Sequence, residues 1–204
     1  MTTITVLSFV SLDGVVQAPS YPDEDTTGEF GHGGWHSRYL EQRSMRWVLE
    51  NLAEADGFLF GRRTYDSFAA HWPGAGPAEK PLADHFNTKP KHVVSQTLRE
   101  PLGWEHSHLV DGGNVRESLT RLVQENLGAL YVLGSTRVVH ELSAADLVDE
   151  YRLMVDPIIL GGGKRLFDST GPSRALSLAD HHVVDTGAML LRYVRSNARN
   201  PSHR

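Results

Sequence analysis

The chain has 204 residues, of which 40% are hydrophobic and 22% charged, which is typical of one globular domain. It contains no cysteine, which excludes disulfides, thiolate zinc sites, iron–sulfur clusters and cysteine nucleophiles. The formal net charge is -5 and no run of Lys or Arg occurs, so we expect no nucleic-acid partner.

The amino-terminal apolar run is not preceded by a basic residue, so it does not resemble a signal peptide. No apolar stretch approaches the roughly 20 residues that span a bilayer. We therefore expect a cytoplasmic protein with no membrane partner. A single domain is predicted over residues 1–196, followed by a disordered tail over residues 197–204.

In the first third of the chain, short apolar runs alternate with helical spacing. A β-rich run over residues 4–10 predicts the first strand, and the polar stretch over residues 13–34 is too poor in apolar residues for a core element. Helical spacing predicts a helix over residues 37–52. A buried strand is predicted over residues 57–60 and a short helix over residues 64–70.

The middle of the chain repeats this alternation. Four prolines make residues 73–90 a predicted loop with at most one helical turn, and residues 92–95 a predicted strand. Asn114, with Glu117 three residues on, resembles a capping box before a helical pattern that reaches Leu127. A strand over residues 130–133 and a helix from Thr136 to Leu142 complete this part.

The last third favours strands. Residues 151–160 predict a strand in which Pro157 requires an edge or a bulge. Residues 175–184 and 188–194 alternate in polarity and are joined by a plausible hairpin turn. Strands that alternate with helices and end in a hairpin predict an α/β fold with a mostly parallel sheet and an antiparallel edge.

The residues that follow three of the predicted strands are candidates for ligand binding. At the first, Gly61 is followed by Arg62, Arg63 and Thr64 at a helix start, where free N–H groups attract anions. Arginine opposes the helix dipole there, so two arginines suggest an anionic ligand. The alternative is that both arginines face solvent or pair with Asp66.

The second such strand end is followed by Gly134, Ser135, Thr136 and Arg137, and the third by Ser95 and Gln96. Ligands of open α/β sheets bind outside the carboxyl ends of strands, so the first two junctions could hold one pyrophosphate between them. Ordinary turn and capping chemistry is the alternative at each of them.

Two further patterns fail on inspection. Gly161–Arg165 is not a phosphate-binding Walker loop, because Ile158 stands at the first glycine position and Arg165 at that of the Ser or Thr. The histidine pairs, among them His32 and His36, have no partnering metal motif. We expect surface histidines and no metal site.

At the three junctions the chain resembles the dihydrofolate-reductase superfamily. It is most similar to the branch that contains the reductase domain of bacterial riboflavin biosynthesis and its stand-alone relatives. The resemblance covers roughly residues 4–194 and rests on motifs in the family's order: Ser11–Gly14, Gly61–Tyr65, Val94–Ser95, Leu133–Ser135, Leu147–Tyr151 and Pro157–Phe167.

This resemblance implies a three-layer dihydrofolate-reductase-like fold, a homodimer, and an NADPH-dependent oxidoreductase acting on CH–OH or CH–NH type groups. The reaction implied is hydride transfer to a small heterocyclic substrate, related to the reduction of a phosphoribosylaminouracil in riboflavin biosynthesis. The residues implied in cofactor binding are Leu12, Gly14, Val16, Gly61, Arg62, Arg63, Thr64, Ser95, Gln96, Gly134, Ser135, Thr136 and Arg137.

On the substrate side, Asp13 is the carboxylate best placed by sequence to polarise or protonate a substrate, although an Asp-Gly pair also forms turns. Trp35, Tyr65 and Trp72 are candidates for stacking on a flat ring, with the protein core as the alternative for each.

Two departures from the family keep other functions open. No Asp or Glu follows Trp35 at the offset used by folate reductases, which makes dihydrofolate reductase proper a weaker alternative. The stretch from His71 to Pro77 lacks the basic residues with which riboflavin-pathway reductases hold a ribose phosphate. A non-catalytic nucleotide-binding or regulatory domain, and a flavin or folate carrier, remain alternatives.

Overall fold

The structure, a computed structural model, describes residues 1–196; the predicted tail over 197–204 lies outside the described residues. Within residues 1–196 the strands are β1 (Thr3–Ser11), β2 (Gly57–Gly61), β3 (Lys91–Ser95), β4 (Ser107–Asp111), β5 (Ala129–Leu133), β6 (Glu150–Asp156), β7 (Leu176–Val183) and β8 (Met189–Arg195). The α-helices of the same residues are α1 (Gln42–Glu54), α2 (Arg62–His71), α3 (Lys80–Thr88), α4 (Val115–Gln124) and α5 (Thr136–Ala144).

The strands form one sheet in the order β4-β3-β2-β5-β1-β6-β8-β7. The first six in this order are parallel, whereas β8 pairs antiparallel with both β6 and β7. The predicted α/β class, with a mostly parallel sheet and an antiparallel carboxy-terminal hairpin, is confirmed. The loops after β1, β2, β3 and β5 therefore meet at one edge of the sheet.

Helices on both faces of the sheet explain the continuous apolar run in β2. Leu59 belongs to a core cluster with Leu119 of α4 and Leu142 of α5. The neighbouring Phe58 faces the other side and lies against Phe86 of α3, with ring centroids 5.0 Å apart. All five side chains are at least 97% buried. A strand covered on both faces needs apolar residues at successive positions, and β2 has them.

Two helices differ from the prediction. Helix α1 begins at Gln42, because Glu41 and Ser44 form a reciprocal capping box, and residues 37–39 form only a short 3-10 turn. Helix α3 lies within residues 73–90, where the prolines predict a loop. Pro81 lies in the first turn, where its missing N–H costs no helical hydrogen bond.

Two further features of the fold are not predicted by the sequence. Strand β4 is an edge strand with only two apolar residues, Leu109 and Val110, so its pattern was too weak to detect. The stretch over residues 13–34 does contribute to a core, because Val15 and Phe30 are buried with Trp35 in a separate small cluster. Its apolar residues are too scattered in sequence to show a period.

The expected cap of α4 is confirmed, whereas the expected strand over residues 151–160 is corrected. The Asn114 side chain accepts a hydrogen bond from the backbone N–H of Glu117 at 3.3 Å and caps α4. The strand predicted over residues 151–160 is shorter in the structure: β6 ends at Asp156, and Pro157 follows it instead of lying at an edge or bulge within it. Within residues 1–196 no helix is both long and apolar enough to cross a membrane.

Candidate functional site

A cleft of about 490 Å³ opens at the carboxyl edge of the sheet, where β2, β3 and β5 run into their following segments. The structure brings the three predicted junctions together in this one cleft. The predicted residues that line it are Gly61, Arg62, Arg63, Thr64, Ser95, Gln96, Ser135, Thr136 and Arg137.

The starts of α2 and α5 are held together by one hydroxyl group. The Ser135 Oγ accepts a hydrogen bond from the backbone N–H of Gly61 at 2.6 Å and donates to the Thr64 Oγ1 at 2.8 Å. Gly134 and Ser135 both have left-handed backbone, with φ of 59° and 55°. A Cβ on Gly134 would lie 3.2 Å from the Thr64 Oγ1. The tight turn therefore depends on glycine, and it places two helix amino termini side by side.

Three guanidinium groups add positive charge to the cleft. The Arg62 Nε donates to the Asp66 carboxylate at 3.2 Å, and a second guanidinium nitrogen of Arg62 donates to the Thr97 hydroxyl. This Arg62–Asp66 pair is half-exposed, so it contributes little to stability. Within the described residues, Arg63 and Arg137 are exposed and have no carboxylate partner. Their charge is available to an anionic ligand.

The end of β3 forms a compact hydroxyl-rich turn. The Ser95 Oγ accepts hydrogen bonds from the backbone N–H groups of Thr97 at 3.2 Å and Leu98 at 3.1 Å. The Gln96 Nε2 donates to the Gly112 carbonyl at 2.7 Å, which ties this turn to the end of β4. A Cβ on Gly112 would lie 2.6 Å from the Ser95 carbonyl carbon, so the two backbones meet too closely for any other residue.

Four predicted cofactor residues do not line the cleft. Gly134 is exposed and lies next to Thr64, which does line the cleft. Leu12, Gly14 and Val16 lie in the loop after β1 and bond to the segment after β6 instead. The Leu12 N–H donates to the Ile158 carbonyl at 2.8 Å, and Leu12 is 59% exposed. This loop lies at the β1 end of the sheet edge.

Asp13 is tied into this same loop. Its carboxylate accepts hydrogen bonds from the Ser11 hydroxyl at 2.7 Å and from the backbone N–H groups of Leu160 at 3.1 Å and Gly161 at 3.0 Å. The Ser11 bond, opposed by burial and assisted by the two backbone bonds, lowers the pKa of Asp13 to about 2. At neutral pH Asp13 is an anion with no proton to donate, which favours anchoring and polarising over protonation.

The predicted stacking residues belong largely to the core. Trp35 is 3% exposed and donates its indole N–H to the Gln17 carbonyl. Tyr65 is 5% exposed, and its hydroxyl accepts a hydrogen bond from the backbone N–H of Trp104. The expectation that these two rings stack on a substrate is therefore corrected, because buried faces are occupied by neighbouring side chains. Trp72 is half-buried and lies against Phe86.

Two ion pairs near this sheet edge were not predicted. Lys164 and Asp25 line the cleft and pair with each other, although the Gly161–Arg165 segment offered no recognisable phosphate motif. His36 is not a surface histidine. Its Nδ1 lies 2.7 Å from the Asp156 Oδ2 in a fully buried pair.

The composition of the cleft suits a ligand with several anionic groups. Three arginines and Lys164 line it together with hydroxyls, whereas Asp25 is the one carboxylate among the described lining residues. Arginine forks and the N–H groups of helix starts both bind phosphate oxygens. Gly61 and Gly112 line the cleft without side chains of their own, so a phosphate chain can approach the backbone there.

This sheet topology and this cleft define a dihydrofolate-reductase-like α/β protein. The chain belongs to the family described as the RibD C-terminal domain, whose model matches residues 2–190. The family resemblance deduced from the motifs is therefore confirmed.

Individual relatives agree with this assignment. The structure of a Shewanella sp. PV-4 protein, named "Putative riboflavin biosynthesis protein", is similar with a TM-score of 0.68 and 25% identity, covering 95% of this chain and 99% of that one. A pyrimidine reductase-like protein from Corynebacterium diphtheriae has a TM-score of 0.64 at 11% identity, covering 95% and 92%, which supports the fold alone. A Bacillus subtilis (strain 168) protein named "Uncharacterized protein YyaP" is 26% identical over 144 residues, which is 70% of this chain and 75% of YyaP.

Proposed function

We propose that this protein is an NADPH-dependent reductase that acts on a small heterocyclic substrate. The observation that carries the proposal is the convergence of Arg62, Arg63 and Arg137 with two paired helix starts in one cleft. A dinucleotide with an additional phosphate needs several separate anion contacts along one edge, and this cleft offers them. Membership of a reductase-like family supports the same reading.

Each group in the cleft has a definite task under this proposal. Arg62 and Arg63 bind the 2′-phosphate, because a phosphate carries a charge near −2 and pairs best with planar guanidinium forks. The N–H groups at the start of α5, next to Ser135, bind the pyrophosphate. Bound NADPH supplies the hydride, and the chain orients both reactants at the sheet edge.

The acceptor is a C=N or C=O group of the heterocycle. Asp13 keeps the loop after β1 in place through three hydrogen bonds and contributes a fixed negative charge there. The proton that accompanies the hydride then comes from solvent or from a group other than Asp13, because the lowered pKa of Asp13 keeps it ionised.

A non-catalytic nucleotide-binding domain is the second candidate. It is favoured by the engagement of Asp13, Trp35 and Tyr65 in internal contacts, which leaves fewer groups for a substrate. The two candidates differ in NADPH consumption: the reductase oxidises NADPH with members of a panel of pterins, pyrimidines and imines, and the binding domain oxidises it with none.

The deciding experiment for the cofactor is a parallel titration with NADPH and NADH, followed by tryptophan fluorescence. We expect the wild type to prefer NADPH by about tenfold or more, which corresponds to about 1.4 kcal/mol. The Arg62→Ala/Arg63→Ala variant should lose most of this preference, whereas Arg46→Ala, an exposed arginine on α1, should retain it. Equal losses for both cofactors in the double variant contradict the 2′-phosphate assignment.

A further inference from the structure

Lys164 and Asp25 form an ion pair that lines the cleft from the side of β1. Both side chains are only partly exposed, at 34% for Lys164 and 24% for Asp25. The carboxylate also accepts hydrogen bonds from the backbone and the hydroxyl of Thr27. Burial raises the pKa of Asp25, but the hydrogen bonds from Lys164 and Thr27 outweigh this and leave the pKa lowered. Asp25 is therefore ionised at neutral pH.

One buried side chain holds both members of this pair in position. Gln17 is 4% exposed, and its Oε1 accepts a hydrogen bond from the backbone N–H of Lys164 at 3.0 Å. Its Nε2 donates to the backbone carbonyls of Asp25 and Thr27, each at 2.9 Å. The Val16 N–H adds a bond to the Lys164 carbonyl at 2.8 Å. The backbone of Lys164 is thus held in place, and only its side chain can move to bind a different anion.

The position of this pair along the sheet edge separates it from the arginine end of the cleft. Arg62 bonds to Thr97, which follows β3, whereas Lys164 bonds to Val16, which follows β1. The strand order between them is β3-β2-β5-β1. At about 4.8 Å per strand, the ends of β3 and β1 lie roughly 14 Å apart along the edge. The start of α5, near Ser135, lies between them.

We propose that Lys164 binds the phosphate on the nicotinamide side of the cofactor, and that Asp25 holds the ammonium group until that phosphate replaces it. This inference rests on the proposed function, since it assigns one more contact to the same dinucleotide. An ammonium group binds phosphate as a point charge and can exchange one oxygen anion for another without moving its backbone. Asp25 is then a competitor that weakens cofactor binding.

The test compares two probes that differ in the phosphate concerned. NADPH carries both phosphates of the pyrophosphate, whereas adenosine 2′,5′-bisphosphate carries the adenosine side only. We expect Lys164→Met to weaken NADPH binding by about tenfold or more and to change binding of the bisphosphate by less than about twofold. Methionine keeps the aliphatic stem of lysine, so packing is preserved.

The ion pair between Lys80 and Asp84 provides a matched control, because it is an exposed Lys–Asp pair on α3 outside the cleft. Lys80→Met and Asp84→Asn should change neither affinity. Asp25→Asn should strengthen NADPH binding by a measurable factor, since it removes the competing charge and keeps the shape of the side chain.

The outcomes separate this inference from the proposed function. If Lys164→Met loses the same affinity for both probes, or loses no affinity for NADPH, the assignment of Lys164 to the nicotinamide-side phosphate is wrong. If Asp25→Asn weakens NADPH binding, Asp25 does not compete with the phosphate for Lys164. The ion pair then stabilises the loop in the conformation that binds NADPH. If NADPH responds to Arg62 and Arg63 but not to Lys164, only this inference fails. If the wild type binds neither probe, the proposed function fails and this inference with it.

Discussion

The buried pair of His36 and Asp156 allows the most direct test of how the sheet edge is stabilised. The two side chains are 2% and 0% exposed, and the ring of Phe9 stacks on the imidazole with centroids 3.7 Å apart. Within residues 1–196, the His36 Nε2 and the Asp156 Oδ1 have no protein hydrogen-bond partner. Each member of the pair therefore depends on the other for compensation of its polarity.

Removal of one member should cost far more than removal of both. Asp156→Leu leaves a buried imidazole without its carboxylate, and His36→Leu leaves a buried carboxylate, so each should lose about 3–5 kcal/mol of unfolding free energy. For a domain of this size the melting temperature should fall by roughly 10 °C. The His36→Leu/Asp156→Leu variant buries no unpaired charge and should be more stable than either single variant.

Urea unfolding followed by circular dichroism measures these free energies and yields a double-mutant cycle. The exposed pair of Lys80 and Asp84 on α3, at 2.6 Å, serves as the control, and its coupling energy should not exceed about 0.5 kcal/mol. If the losses at His36 and Asp156 are simply additive, the two groups do not compensate each other and the reasoning is refuted.

The pH dependence of this site follows from the direction of one pKa. Burial raises the pKa of Asp156 above its usual range, although His36 lowers it in part. A carboxyl group with a raised pKa stabilises the fold below its unfolded pKa, and this contribution is lost as pH rises through the folded pKa. Asp156→Asn should therefore gain stability relative to the wild type as pH increases from about 4 towards 7. A constant difference over that range contradicts the assignment.

Two further predictions concern the cleft and the assembly. Gly134→Ala should lose about 1 kcal/mol or more of unfolding free energy and most NADPH binding, because the φ of Gly134 is 59° and a Cβ there would lie 3.2 Å from Thr64. Unchanged NADPH binding, measured by calorimetry, would show that the turn does not shape the cleft. All eight residues of β7 are exposed at the sheet edge, with Leu178 49% and Val183 60% exposed, so we propose pairing with a second copy of the chain. Light scattering should give twice the monomer mass for the wild type and the monomer mass for Ala179→Pro, and a monomeric wild type contradicts the pairing.

The fold could be predicted where burial imposes a pattern on consecutive residues. Strand β2 is covered on both faces and therefore shows an unbroken apolar run, and the β7–β8 hairpin shows alternation around a turn. Strand β4 lies at the edge and needs few apolar residues, so its sequence lacks that pattern. In α3, Pro81 suggested a loop, because only the three-dimensional position distinguishes the first turn of a helix from its interior.

The candidate site divides in the same way between local and distant contacts. The motifs at Gly61 and Gly134 are local, since a strand, a glycine and a helix start follow one another in the chain. The Lys164–Asp25 and His36–Asp156 pairs join residues 139 and 120 positions apart, and no local spacing signals them. Such pairs become visible only when the topology brings the loops after β1 and β6 to the same edge.

Asp13 shows why a residue can be located from sequence while its chemical role cannot. Its position after β1 made it the carboxylate best placed by sequence to polarise or protonate a substrate. Its role depends on how many donors surround it, and two of the three, the N–H groups of Leu160 and Gly161, come from a segment nearly 150 residues away. The Ser11 hydroxyl makes the largest contribution to lowering the pKa of Asp13 to about 2, and these two N–H groups add to it against the effect of burial. Asp13 is a candidate proton donor by its position in the sequence, but the hydrogen bonds around it keep it ionised.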